Sequence, residues 1–205
     1  MALVLKINVV QATVGSNPTV SAIFKRTVMI LVVDMDETLI TDLGRCDKYG
    51  DPSVEPERVE YGKFWAEDIY VRPYCREFLA WANSHFKQTI LCIFSSRDRA
   101  RILLRELSLG MYFDVVYVHE DISCDRLQLD DFLLVDDCEW NDTLLLEKLR
   151  FLGVPNLPFA CTTDNVLDYP CISEHHVNIK RFVGNLDDAE LMRVKKVLEI
   201  ELVNS

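Results

Sequence analysis

The stretch at residues 28–40, VMILVVDMDETLI, decides the fold. Its first six residues, Val28–Val33, form an unbroken apolar run that stops at Asp34. Such a run reads as a strand buried on both faces, as in a parallel sheet covered by helices. Two more runs repeat the pattern. Thr89–Phe94 (TILCIF) stops at Ser95 and Ser96, and Phe132–Val135 (FLLV) stops at Asp136 and Asp137. Val115–Val118 supplies a shorter strand between them.

Helical segments separate these strands. Pro73 opens one at its first turn, where a missing N–H costs nothing, and Phe78, Leu79, Ala82 and Phe86 form its apolar stripe. A second runs from the Ser95–Ser96 pair through Leu107, a third spans Thr143–Phe151 and ends at Gly153, and a fourth spans Asp187–Leu202 with Asn185 or Asp187 as cap. Strand and helix in alternation predict an α/β fold, a parallel sheet wrapped by helices, with ligands beyond the carboxyl ends of the strands. Gly44–Pro56 reads as loop. Val59–Val71, with Tyr61, Phe64 and Trp65, reads as short strands of an insertion at about residues 42–71. These aromatics either pack the insertion or wall a pocket beside the site. The 205 residues suit one domain with an adequate core. Pro158–Pro170 reads as loop, with a short strand at Phe159–Cys161.

Charge and composition narrow the function. A formal net charge of −11 excludes a general nucleic-acid binder and adsorption to an anionic membrane. No apolar run reaches transmembrane length. Met1–Val14 lacks the cationic start of a signal peptide and reads as an edge strand. The seven cysteines form no CxxC pair, which predicts free thiols in a reducing, intracellular compartment, cytoplasm or nucleus. His175–His176 has no companions that would make a metal site.

Asp34 and Asp36 sit one residue apart just past a strand, on roughly one side. Carboxylates that close either share a proton or take up a cation. A hard cation such as Mg²⁺ wants oxygen ligands and suits phosphoryl transfer, and Asp136 and Asp137 offer further carboxylates. A plain turn after a strand also explains DxD alone, but not three polar clusters at three strand ends. Arg97, near a helix start where the dipole disfavours a cation, has either a phosphate-side role or a solvated one.

These motifs resemble the haloacid dehalogenase-type phosphatases. VVDMDETLI is similar to their first motif, in the form typical of RNA polymerase II C-terminal-domain phosphatases and NLI-interacting-factor relatives. VRPYCREFLAW, IFSSRD, LLVDDCEWN and the tail NLDDAELMRVKKVLEIEL resemble later segments of the same branch, so the likeness covers residues 28–202. It implies a Rossmann-like sheet with no large cap. It also implies an Mg²⁺-dependent phosphohydrolase, a protein Ser/Thr phosphatase acting on a phosphoprotein or phosphopeptide. By that resemblance Asp34 is the nucleophile that forms an aspartyl-phosphate, and Asp36 the acid/base. Thr38 steadies the turn, Ser95 with Ser96 binds the phosphoryl group, and Asp34, the Asp36 carbonyl, Asp136 and Asp137 hold the metal.

One departure stands out. The family places a phosphate-clamping lysine before the fourth strand, and this chain has no lysine between Lys87 and Lys148. The expected substitutes are His119, in YVHEDIS, and Arg126. A catalytically inactive relative serving as a phosphoprotein-binding scaffold is the competing reading. A metal-dependent nuclease is disfavoured by the acidity, and a receiver domain by the order of its motifs.

Overall fold

The computed structural model describes residues 29–46, 52–63, 65–124, 127–138, 143–154 and 175–204. The segments expected at Met1–Val14 and Phe159–Cys161 lie outside them. The central sheet is built from β1 (Ile30–Val33), β5 (Gln88–Cys92), β6 (Val115–Tyr117), β7 (Phe132–Asp136) and β8 (His176–Asn178). Their order is β6-β5-β1-β7-β8, and every pairing is parallel. The middle strands have no water on either face, which is why they read as solid apolar runs. Leu31, Val32, Val33, Leu91, Leu134 and Val135 are all fully buried.

The insertion follows β1. Its strands β2 (Ile40–Asp42), β3 (Glu57–Glu60) and β4 (Ala66–Val71) form an antiparallel sheet, β2-β4-β3. A single turn of helix, α1 (Leu43–Cys46), leaves β2. No helical cap is inserted here among the described residues.

Helix α2 (Cys75–His85) starts two residues beyond Pro73, after Tyr74, whose φ of 63° turns the chain into it. Helix α3 (Arg97–Glu106) begins under a cap: the Ser96 hydroxyl accepts from the Arg99 N–H. A 3₁₀ turn, Gly110–Tyr112, leads to β6, and α4 (His119–Cys124) follows it. Helix α5 (Thr143–Leu152) follows β7, and α6 (Glu190–Asn204) closes the described chain. Two apolar clusters lie on the two faces of the sheet. One gathers Phe78, Leu103, Leu191 and Leu198 from α2, α3 and α6; the other gathers Leu145, Leu149 and Leu152 from α5. Among the described residues no helix is long and apolar enough to cross a membrane.

The carboxyl ends of β1, β5 and β7 are adjacent because β1 is the middle strand. Register aligns Val33 with Leu91 on one side and Val135 on the other. Asp34, the Ser95 region and Asp136–Asp137 therefore emerge at one rim.

Candidate active site

Asp34 leaves β1 with its N–H still bonded to the Val135 carbonyl (2.9 Å), so the sheet fixes its backbone. The chain then turns sharply. Leu39 and Ile40 N–H both donate to the Met35 carbonyl, and Glu37 has φ 61°, a left-handed conformation costly for a residue with a Cβ. That conformation is held by the Phe182 N–H, which donates to the Glu37 carbonyl at 2.7 Å, and by Arg181, whose Nε lies 2.5 Å from Glu37 Oε2. Arg72 braces the same turn from below. It is fully buried, donates to the Thr38 carbonyl (2.7 Å) and the Lys180 carbonyl, and forks onto both oxygens of Asp188 at 3.0 Å. Thr38 donates to Asp137 Oδ1 at 3.2 Å, tying the β1 turn to the end of β7.

A lysine lies at the centre of the carboxylates. Lys148 Nζ donates to Asp34 Oδ1 (2.7 Å) and to Asp136 Oδ2 (2.6 Å), and is 5.6 Å from the centre of the Phe94 ring. It is 2% exposed, so both ion pairs are shielded from water. It comes from α5, after the fourth strand of the core sequence rather than before it. A cation thus reaches these two carboxylates from α5. His119 opens α4, its N–H donates to the Ser95 carbonyl, and its ring packs against Phe94. Arg126 lies outside the described residues.

The sequence holds a signal for Lys148. Leu145, Lys148, Leu149 and Leu152 recur at i, i+3, i+4 and i+7, so the lysine occupies a position of the apolar stripe of α5. An ammonium there is buried, and a buried ammonium needs carboxylates.

Arg97 does not reach the cluster. It turns towards α4, where it pairs with Asp121 at 2.7 Å. Two residues further along a helix is about 200° of rotation, and Arg99 is the side chain that turns inward. Its Nη1 lies 3.2 and 3.4 Å from the two oxygens of Asp36 and 3.4 Å from Ser95 Oγ. Arg99 therefore links Ser95 to Asp36, Ser96 caps α3, and Arg97 stands at Asp121. On the β7 side Arg181 Nε is 3.1 Å from Asp137 Oδ2. The insertion meets the site through Glu67, 3.8 Å from Arg99; Trp65, which stacks on Tyr61 with centroids 4.6 Å apart, is largely exposed. Phe64 lies outside the described residues.

Burial works against the charges gathered here, and each group responds by its partners. Burial raises Asp34 well above the ordinary carboxylate range; Lys148 opposes the rise, while Asp136 and Asp137 add to it. Asp136 is also buried, but Lys148 and the Cys138 N–H (2.8 Å) outweigh that and hold it below its usual value. Asp137 is pushed up to about 6 by burial, Asp136 and Glu37, against the pull of Arg181. Burial would lower Lys148, yet Asp34 and Asp136 hold it well above its usual value.

Three buried carboxylates thus share one buried ammonium and a half-exposed guanidinium. The surplus is negative, and the donors are hard oxygens. Ligand atoms of Asp136, Asp137 and Cys138 lie within 4.8 Å of one another. Burial pushes the Cys138 thiol far up, so it remains protonated and leaves the oxygens as donors. This set fits a hard divalent cation such as Mg²⁺. Above it opens a cleft of about 220 Å³ lined by Asp34, Asp36, Phe94, Leu144 and Arg181.

The family model for NLI interacting factor-like phosphatases matches residues 29–205. Among solved structures the chain is similar to Fcp1, an essential RNA polymerase II CTD phosphatase, at 16% identity over 86% of this chain and 62% of that one, with a TM-score of 0.47. It is similar also to the fission yeast RNA polymerase II CTD phosphatase Fcp1-R271A bound to beryllium fluoride, at 17% identity over 86% and 63%, with a TM-score of 0.46. The chain thus spans less than two thirds of either structure. No curated protein matches.

Proposed function

The chain belongs to the NLI interacting factor-like phosphatase family, and on that premise we propose that it is an Mg²⁺-dependent phosphoprotein Ser/Thr phosphatase working through an aspartyl-phosphate. The observation that carries the reading is Asp34, buried and held by Lys148 through one oxygen, beside Asp36 at the mouth of the same cleft.

In this reading the free oxygen of Asp34 attacks phosphorus, forming an acyl phosphate as the bond to the substrate oxygen breaks. Asp36 gives its proton to that leaving oxygen, then takes one from the water that attacks the acyl phosphate. Inorganic phosphate leaves and the Asp34 carboxylate returns. Lys148 keeps Asp34 oriented and offsets the charge of the phosphoryl group in a site with little water. Ser95 and Arg99 are the donors nearest Asp36 on the β5 side. Bound Mg²⁺ would neutralise charge on the phosphoryl oxygens, and Asp34, the Asp36 carbonyl, Asp136 and Asp137 are the residues that would hold it. A small antiparallel insertion, with no helical cap among the described residues, supports a protein-sized substrate. The inactive-scaffold reading follows from the absence of the family's lysine before the fourth strand; Lys148 at Asp34 and Asp136 supports the catalytic reading instead.

The test is turnover of an aryl phosphate and of phosphoserine and phosphothreonine peptides, with and without Mg²⁺. Metal-dependent release of phosphate from both classes is expected. No turnover of either with saturating Mg²⁺ would overturn the proposal.

A further inference from the structure

A second concavity, about 440 Å³, lies along the outer side of α3, between that helix and β6. Its floor is apolar: Ala100, Leu104, Met111, Val116 and Val118. Met111 is 64% exposed, an apolar side chain held out to solvent. Arg97, Arg101 and Arg105 also line it, four residues apart and so on one face of α3. In a chain of net charge −11, the described residues that line this groove include three arginines and no carboxylate.

The arginines have partners, but replaceable ones. Arg101 pairs with Asp98 and Arg105 with Glu106, neighbours on the same helix with exposed side chains. Such pairs contribute little and exchange readily. Arg97 is held by Asp121 at the end nearest the active site.

Position links the groove to the cleft. β6 stands two strands from β1, so the near end is roughly 10 Å from Asp34 at ordinary strand spacing. From there it follows α3 for about 15 Å. Val118 lines that near end, next to His119, whose N–H is bonded to the Ser95 carbonyl.

We propose that this groove is a docking site for an acidic segment with apolar anchors, flanking the phosphorylated residue of the substrate protein. The proposal rests on the phosphatase reading above and adds a substrate class to it. Carboxylates of the segment pair with Arg101 and Arg105, and an aliphatic side chain settles over Leu104 and Val116 beside Met111. Charge complementarity selects an acidic partner. The floor selects protein over nucleic acid, because the described lining residues carry no aromatic ring on which a base could stack. The span sets the spacing: about three extended residues cover 10 Å, so the anchors lie roughly three to seven residues from the phosphorylated one.

The test uses the full chain and a fluorescein-labelled peptide in which a serine is followed, after three small residues, by Asp-Leu-Glu-Leu-Asp. Binding of the unphosphorylated peptide by anisotropy reads the groove alone. kcat/KM on the phosphorylated peptide, beside an aryl phosphate, reads its coupling to chemistry. Arg101→Glu with Arg105→Glu, and separately Met111→Glu, should each weaken binding and lower peptide kcat/KM about tenfold or more, as loss of a central anchor does. Both variants should hydrolyse the aryl phosphate like wild type, which also shows that they fold. Replacing the leucines of the peptide by serine, or its acids by lysine, should abolish binding. Equal binding of those control peptides, unchanged affinity in both variants, or displacement of the peptide by a second copy of the chain in sedimentation would overturn the proposal. Peptide binding without turnover of any phosphate would sink the phosphatase reading and leave the groove standing.

Discussion

Two aspartates and one lysine divide the work at the site, and their substitutions should fail in different ways. Asp34→Asn keeps an oxygen for Lys148 but cannot form the acyl phosphate. It should fold and lose about 10⁴-fold or more in kcat, measured on an aryl phosphate. Lys148→Met keeps the volume of the stripe but strands Asp34 and Asp136 without a cation. It should cost about 3–5 kcal/mol in urea unfolding, as removal of one buried partner does, and about 10²–10³-fold in kcat. His119 packs its ring against Phe94, and His119→Ala should stay within about threefold of wild type in kcat, where a general acid or base would be worth about 10²-fold or more. A large loss there, with Lys148→Met active, would reverse the assignment. Asp137 adds a pH signature. Its pKa is raised from 3.8 to about 6, so between those values the folded metal-free protein holds a proton that the unfolded chain has released. From this group stability should fall as pH rises from about 4 to about 6, by at most ~3 kcal/mol, and Asp137→Asn should lack that contribution, so that the difference between the two profiles reads Asp137 alone. Thermal melts in EDTA across that range check it.

At the scale of elements, what could be read in the sequence was what repeats locally. β1, β5 and β7 announce themselves because burial on both faces gives each an unbroken apolar run, and Asp34, Ser95 and Asp136 mark where those runs stop. The antiparallel insertion was visible in its aromatic run. What escaped was azimuth and distance. Periodicity places α3, but only packing decides that Arg99 rather than Arg97 turns towards Asp36. Lys148 lies beyond the fourth strand, away from where the family's lysine is expected, although its place in the apolar stripe of α5 marks it as buried. The Arg72–Asp188 fork joins residues 116 apart and leaves no local trace. It holds the β1 turn, the insertion and the approach to α6 together. Arg72→Ala should therefore lower unfolding free energy by about 3–5 kcal/mol and reduce activity by loosening the turn that carries Asp36. Arg72→Lys should recover only part of either, since an ammonium cannot fork. Urea melts beside kcat on one substrate separate the two effects.

Across the whole molecule, negative charge is concentrated where a divalent cation would relieve it. EDTA should abolish phosphatase activity, Mg²⁺ should restore it and raise Tm, and Ca²⁺ should not restore turnover, because its larger, looser shell misplaces nucleophile and phosphorus. Full activity in EDTA would remove the metal from the site. The fork and the shared lysine also bear on how the protein is made. Asp34 meets Lys148 across 114 residues and Thr38 meets Asp137 across 99. A ribosome at the end of β7 has thus delivered every carboxylate of the cluster but not the ammonium that balances two of them. Until α5 is made, Asp34 and Asp136 have no Lys148 to pair with. A fragment that stops short of α5 therefore lacks Lys148 and should not assemble the cluster, and one that stops short of Asp188 should lack the fork that braces the β1 turn.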